Sequence, residues 1–185
     1  ISGLTLVPPG ERDIMNSTTY GLGELIREAI EVRRARRVVV AIGGSATNDG
    51  GIWMLEALGF RYDKRENVLD DSQVGAVTPH LWETDIEVAC DVENPLLGEN
   101  GAAAVYAPQK GATPELIPVL EQRAALWAEA VAKWKKVCME EIVSVPGSGA
   151  AGGVGFALHS VLGGEIIPGW RVFSQMMNLE EAIKS

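Results

Sequence analysis

Runs of consecutive apolar residues alternate along this chain with stretches rich in glycine and hydroxyls. Val38-Val39-Val40-Ala41-Ile42 has strong β preference and no polar alternation, the pattern of a strand buried on both faces of a helix-covered sheet. Ile86 to Cys90 predicts a second buried strand, Ile142 to Val145 a third and Glu165 to Ile167 another, with a short one over Phe60 to Tyr62. Between these runs the period lengthens to that of helices. Leu22, Leu25, Ile26, Ala29 and Ile30 share one face of a helix that Thr18 or Thr19 can cap. Ile52 to Leu58 predicts a helix that Gly59 can terminate, and Ala102 to Ala107 a short one. Thr113-Pro114-Glu115 places a capping hydroxyl, a proline at the first helical position and an acid in succession. That helix is expected to reach about Val137, with Ile117, Leu120, Ala124, Trp127, Val131, Trp134 and Cys138 on one core-facing stripe. A further helix runs through Phe156, Ala157, Val161 and Leu162, and Asn178 is placed to cap a last one. Asp63 to Thr84 is polar and turn-rich, and no element is assigned there. The sum is an α/β fold: a sheet flanked by helices on both faces, open to mixed strand direction, in one domain over residues 1–185.

Composition narrows the function class. The 185 residues are 46% hydrophobic and 22% charged, ordinary for a globular protein with a proper core. A net charge of −9 argues against a nucleic-acid partner. The one basic cluster, Arg33-Arg34-Ala35-Arg36-Arg37, sits where a helix should end and suits its dipole. Cys90 and Cys138 are read as reduced and the protein as cytoplasmic, with no apolar run long enough to span a membrane. His80 and His159 stand apart without ligand-like neighbours, so no zinc site is expected.

Three loops follow three apolar runs: GGSATNDGG, CDVENPLLG and PGSGAAGG. In an open α/β sheet, loops at the carboxyl ends of strands gather on one edge. Together they offer backbone amides, the hydroxyls of Ser45, Thr47 and Ser148, and the carboxylates Asp49 and Asp91, with Lys110 close behind. Amides and a lysine suit phosphate oxygens, while carboxylates suit magnesium or the removal of a hydroxyl proton. That is equipment for phosphoryl transfer. Plainer readings of the same residues are that Asp49 caps the helix at Gly51 and that Lys110 pairs with Glu115. Gly147-Ser148-Gly149-Ala150-Ala151-Gly152 is also a literal GxGxxG with Glu165 downstream, which raises a dinucleotide-binding oxidoreductase. Against it, Pro146 limits the preceding strand, and close packing accounts for the same glycines.

VVVAIGGSATNDGG, VACDVENPLLG, AAAVYAPQKGATPE and PGSGAAGGVGFAL, in this order and with STTYGLGELI before them, resemble the glycerate kinase family over nearly the whole chain. The resemblance implies a two-domain α/β kinase that uses ATP and Mg2+ to phosphorylate D-glycerate to 2-phosphoglycerate in a cleft between its domains. It makes this chain similar to the second, inserted domain with its flanks. The family's opening segment of DSFKG type and its later GEGR-type loop have no counterpart here, so this chain is expected to hold half of a cleft. Glu93 stands where an aspartate is usual and Leu97 where a cysteine is common. Carried over by motif, Gly43, Gly44, Ser45, Thr47, Asn48 and Asn94 are the expected substrate contacts. Asp49, Asp91 and Lys110 are the expected catalytic groups, with no protein metal cluster. The partners implied are glycerate and ATP, with no nucleic acid and no membrane, and a homodimer is left open. The competing class is a non-catalytic α/β domain or fragment that binds a small hydroxy acid.

Overall fold

The computed structural model describes residues 2–177; the helix expected after Asn178 lies outside them. Three parallel strands form the main sheet in the order β1-β4-β5: β1 is Arg37–Ala41, β4 Asp85–Ala89 and β5 Glu165–Ile167. Between the first two, β2 (Arg61–Asp63) and β3 (Val68–Asp70) form a separate antiparallel hairpin. A parallel sheet flanked by helices is the expected class. β1 itself differs from expectation. It is an edge strand among the described residues, and Val39 is 37% exposed, so only alternate residues of the run, led by Val40, are buried.

Helix α1 (Tyr20–Arg27) continues through a wider turn to Val32 and buries Gly23, Ile26 and Ile30, leaving Leu25 half exposed. Its approach to α2 (Ile52–Ala57) depends on Gly23, where a side-chain carbon would stand 2.2 Å from the Met54 carbonyl oxygen. α3 (Val74–Val77) and α4 (Ala102–Tyr106) are short, and α5 (Leu116–Lys135) is the long helix anticipated after Thr113-Pro114-Glu115. Leu120, Trp127 and Val131 on its stripe are fully buried, whereas Cys138 lies exposed beyond its end. Trp127 is the hub of the core: its ring meets Tyr62 and Phe156 edge-on, and its Nε1 donates to the Gly50 carbonyl at 3.0 Å.

The strand expected over Ile142 to Val145 is instead a helix, α6 (Met139–Val143). Glu140 and Glu141 occupy its first turn, where acids favour the helix dipole, and one buried residue, Ile142, suffices to seat it. α7 (Ala150–Phe156) continues as a wider turn to Val161, and α8 (Gly169–Met176) follows β5. The arginine cluster is solvated as expected, each member pairing with a glutamate: Arg33 with Glu28, Arg34 with Glu31, Arg36 with Glu83 and Arg37 with Glu87.

Candidate functional site

The three glycine-bearing loops do meet, and the contacts that join them are main chain to main chain. Gly50 donates its N–H to the Gly152 carbonyl at 3.0 Å, and Gly149 donates to the Asn94 carbonyl at 2.9 Å. Two positions demand glycine. A Cβ at Gly152, whose φ is +66°, would lie 2.2 Å from the Thr47 carbonyl oxygen; one at Gly149 would lie 2.0 Å from that of Pro95. Ala151, Gly152 and Gly153 are successively left-handed, so the chain reverses its helical sense before α7 proper. Ala151 adopts this conformation without glycine's freedom. The GxGxxG glycines are thus used to bring loops together. The element before them is a helix, α6, in place of the strand a dinucleotide fingerprint requires.

At this junction Gly43, Gly44, Ser45, Asp91, Tyr106, Gln109, Lys110 and Ala151 line a cleft of about 170 Å³. Larger hollows exist, one of about 310 Å³ beside Ile30, Arg34 and His80, but its walls are mostly apolar and its arginines are already paired. Ser2 to Leu4 pair with the first loop: Leu4 N–H donates to the Gly44 carbonyl and Ala46 N–H to that of Ser2, both at 2.7 Å. The N–H groups of Gly43, Gly44 and Ser45 make no hydrogen bond within the described residues. A row of free amides at a strand's carboxyl end is a site for an anion.

Lys110 is 2% exposed, and its Nζ donates to Ser45 Oγ and to the Thr47 carbonyl, both at 2.7 Å. It does not pair with Glu115, whose carboxyl is held by Thr113. Burial pushes the ammonium down from 10.5 to about 8, against the pull of the Asp49 charge. An ammonium has three donors, and two are spent on the loop. Because Ser45 Oγ accepts from Lys110, its own proton is left to donate into the cleft.

The two aspartates have separate surroundings. Asp49 is buried: its Oδ2 accepts from Thr19 N–H at 2.8 Å and Thr19 Oγ1 at 2.7 Å, and its Oδ1 from Gly51 N–H at 3.1 Å. The Thr19 hydroxyl also accepts from Met54 N–H at 3.0 Å, so this carboxylate ties the start of α1 to the start of α2. Burial raises the Asp49 pKa, opposed by the hydrogen bonds from Thr19 and Gly51. Asp91 is exposed on the cleft wall, where one oxygen accepts from Gly169 N–H at 2.8 Å. Asn94 sits behind that wall: its Nδ2 donates to the Asn100 carbonyl, and its Oδ1 accepts from the Tyr106 hydroxyl. Thr47 and Asn48 are buried, each with a side-chain oxygen lacking a partner among the described residues.

Of the residues expected from sequence, the cleft gathers Gly43, Gly44, Ser45, Asp91 and Lys110; it does not gather Thr47, Asn48 and Asp49, which are buried and line other hollows, or Asn94, which is held by Tyr106 and Asn100. Tyr106 and Gln109 are additions to the expected set, and Thr19, expected as a helix cap, sits at the cap position but gives its hydroxyl to Asp49. Tyr106 lies four residues before Lys110, the spacing that brings side chains to one face of a helical segment, which is the signal that could have found it.

Three comparisons with known proteins agree. A family model described as the glycerate kinase family matches residues 1–185. Curated relatives include "Glycerate 2-kinase" of Escherichia coli K12, 42% identical over 98% of this chain and 50% of its own length. "Glycerate kinase" of Halalkalibacterium halodurans is 38% identical over 99% of this chain and 50% of its own. A crystal structure assigned as glycerate kinase 2 from Salmonella typhimurium LT2 superposes with a TM-score of 0.87 at 40% identity, over 97% of this chain and 50% of the other. The chain spans about half the length of the curated relatives it matches.

Proposed function

The chain belongs to the glycerate kinase family, and from that premise we propose that it supplies one side of a two-part site in which ATP phosphorylates D-glycerate to 2-phosphoglycerate. The observation that carries this reading is the cleft itself. It sets the free amides of Gly43, Gly44 and Ser45 and the buried Lys110 ammonium beside the carboxylate of Asp91. The amides, the Ser45 hydroxyl and Lys110 hold an anionic group, the acid's carboxylate or a phosphate oxygen. Asp91 accepts the proton of the 2-hydroxyl as that oxygen bonds to the γ-phosphorus, and the bond from the γ-phosphorus to the bridging oxygen breaks to release ADP. Asp49, with three donors already on its oxygens, works through the framework by fixing the loop that carries the amides.

Magnesium is bound in kinase sites by one or two carboxylates together with substrate phosphates. If the ion is held from this side, Asp91 is the exposed carboxylate that would hold it, and its one free oxygen then leaves the 2-hydroxyl proton to another acceptor. The ion would supply charge neutralisation on the transferred group. Residues 1–185 form an α/β domain inserted in a longer two-domain enzyme on this reading. The location proposed is cytoplasmic; no helix among the described residues is long and apolar enough to cross a membrane. A binding module without activity of its own remains the second reading, favoured by the half-length match.

Glycerate- and magnesium-dependent ADP production, measured on this chain and on a version extended to the length of its relatives, separates them. The kinase reading expects turnover in the extended protein only, with Asp91→Asn lowering kcat there by roughly 10²–10⁴-fold. A folded extended protein without glycerate-dependent turnover overturns the reading.

A further inference from the structure

We propose that the exposed apolar face of α8 is the docking surface for the polypeptide making up the other half of its relatives' length, and that docking there completes the cleft beside Asp91. Trp170, Phe173 and Met177 follow at spacings of three and four and share one stripe, with Met176 alongside. They are 70, 60, 57 and 71% exposed respectively, while Val172 is the buried residue of the helix. A surface helix ordinarily turns such a stripe inward. Here only Val172 is seated, and the exposed Gln175 accepts from Arg37 Nη2 at 3.2 Å on another side of the helix. Four large apolar side chains on two helical turns are a contiguous patch, the mark of a surface made to be covered.

What covers it is indicated by where α8 begins and by what accompanies this segment in its relatives. Its first residue, Gly169, donates its N–H to Asp91 Oδ1, and a side-chain carbon there would come within 2.9 Å of Asp91 Oδ2. A body seated on the stripe therefore stands next to the cleft's carboxylate. In the Escherichia coli and Halalkalibacterium halodurans proteins and in the Salmonella structure, the matched segment is 50% of the chain, so as much polypeptide again accompanies it. The cleft on this side, about 170 Å³, is smaller than the roughly 300–1,000 Å³ of a site that encloses a drug-sized ligand. The missing walls must come from the docked half. This inference rests on the two-part site proposed above and assigns the face that joins its parts.

The test is hydrogen exchange on the version extended to the length of the relatives, with and without Trp170→Glu. A charge driven into a covered stripe is expected to speed exchange across residues 169–177 by about tenfold or more and to lower turnover. Exchange across α5 should stay unchanged, which shows that the domain remains folded. If α5 also opens, the milder Phe173→Ser is read in the same way. Unchanged exchange at α8 in a folded variant overturns the proposal. So does a dimer that Trp170→Glu converts to a monomer, because the occupant is then a second copy. A protein that shows the expected opening without glycerate turnover keeps the docking face and loses the kinase reading.

Discussion

Lys110 shows how one buried charge serves two purposes that respond oppositely to pH. Its ammonium bridges Ser45 and the Thr47 carbonyl, and burial brings its pKa from 10.5 to about 8. Unfolded chain thus binds more protons than folded chain between about pH 8 and 10.5, and this residue's contribution to stability rises with pH across that window. Anion binding runs the other way, because the neutral amine holds no anion. In the extended enzyme KM for the acid is expected to climb above about pH 8, while Lys110→Met shows a high KM with no such inflection. An unaltered KM in Lys110→Met would remove the lysine from the site. Asp49 and Asp91 have opposite profiles. Asp49→Asn puts an amide against the donors of Thr19 and is expected to cost about 1–3 kcal/mol of stability. The folded fraction should keep most of its turnover. Asp91→Asn, on an exposed wall, should leave the thermal midpoint in place and lose turnover. Denaturant melts and kcat measured on both variants decide the assignment; an Asp49→Asn variant that is fully stable yet inactive would reverse it.

Among the elements, the loops carry the most specific geometry. Gly152→Ala forces a methyl into the Thr47 carbonyl at a left-handed position and is expected to destabilise by roughly 2–4 kcal/mol. Gly43→Ala is the control: nothing lies within 4 Å of its would-be Cβ and its φ is not positive, so stability should hold. Calorimetry on the pair is the check, and a Gly152→Ala loss below about 1 kcal/mol would show that the loops have room to part. This level was legible in the chain to an uneven degree. The runs at Val38, Ile86 and Glu165 announced the strands of the parallel sheet, and the rule that loops gather at strand carboxyl ends anticipated the meeting of the three glycine loops. Ile142 misled because a short apolar run has no period of its own; the two acids ahead of it carried the helical signal. The strand expected over Phe60 to Tyr62 is β2, shifted by one residue to Arg61–Asp63, but its partner β3 gave no signal because it is three residues long and only Leu69 in it is buried, with Val68 exposed. The Thr19–Asp49 tether joins residues thirty apart in sequence, where no local pattern reports on pairing.

At the scale of the molecule, the core around Trp127, the two helices bound through Asp49 and the three interlocked loops form one continuous support for a cleft that is open on one side. Outside it, the arginine cluster is answered by glutamates in surface pairs worth little each. The parallel sheet has a consequence for how the chain reaches this state. β4 is its centre, yet residue 85 pairs with residue 37 and residue 87 with residue 165. No local hairpin can nucleate such a sheet, and high contact order slows folding because loop closure precedes any reward. On a ribosome, the second edge of β4, which ends at Ala89, stays unpaired until β5, beginning at Glu165, has emerged. The strand that anchors the Asp91 loop is therefore the one that chaperones would find longest exposed.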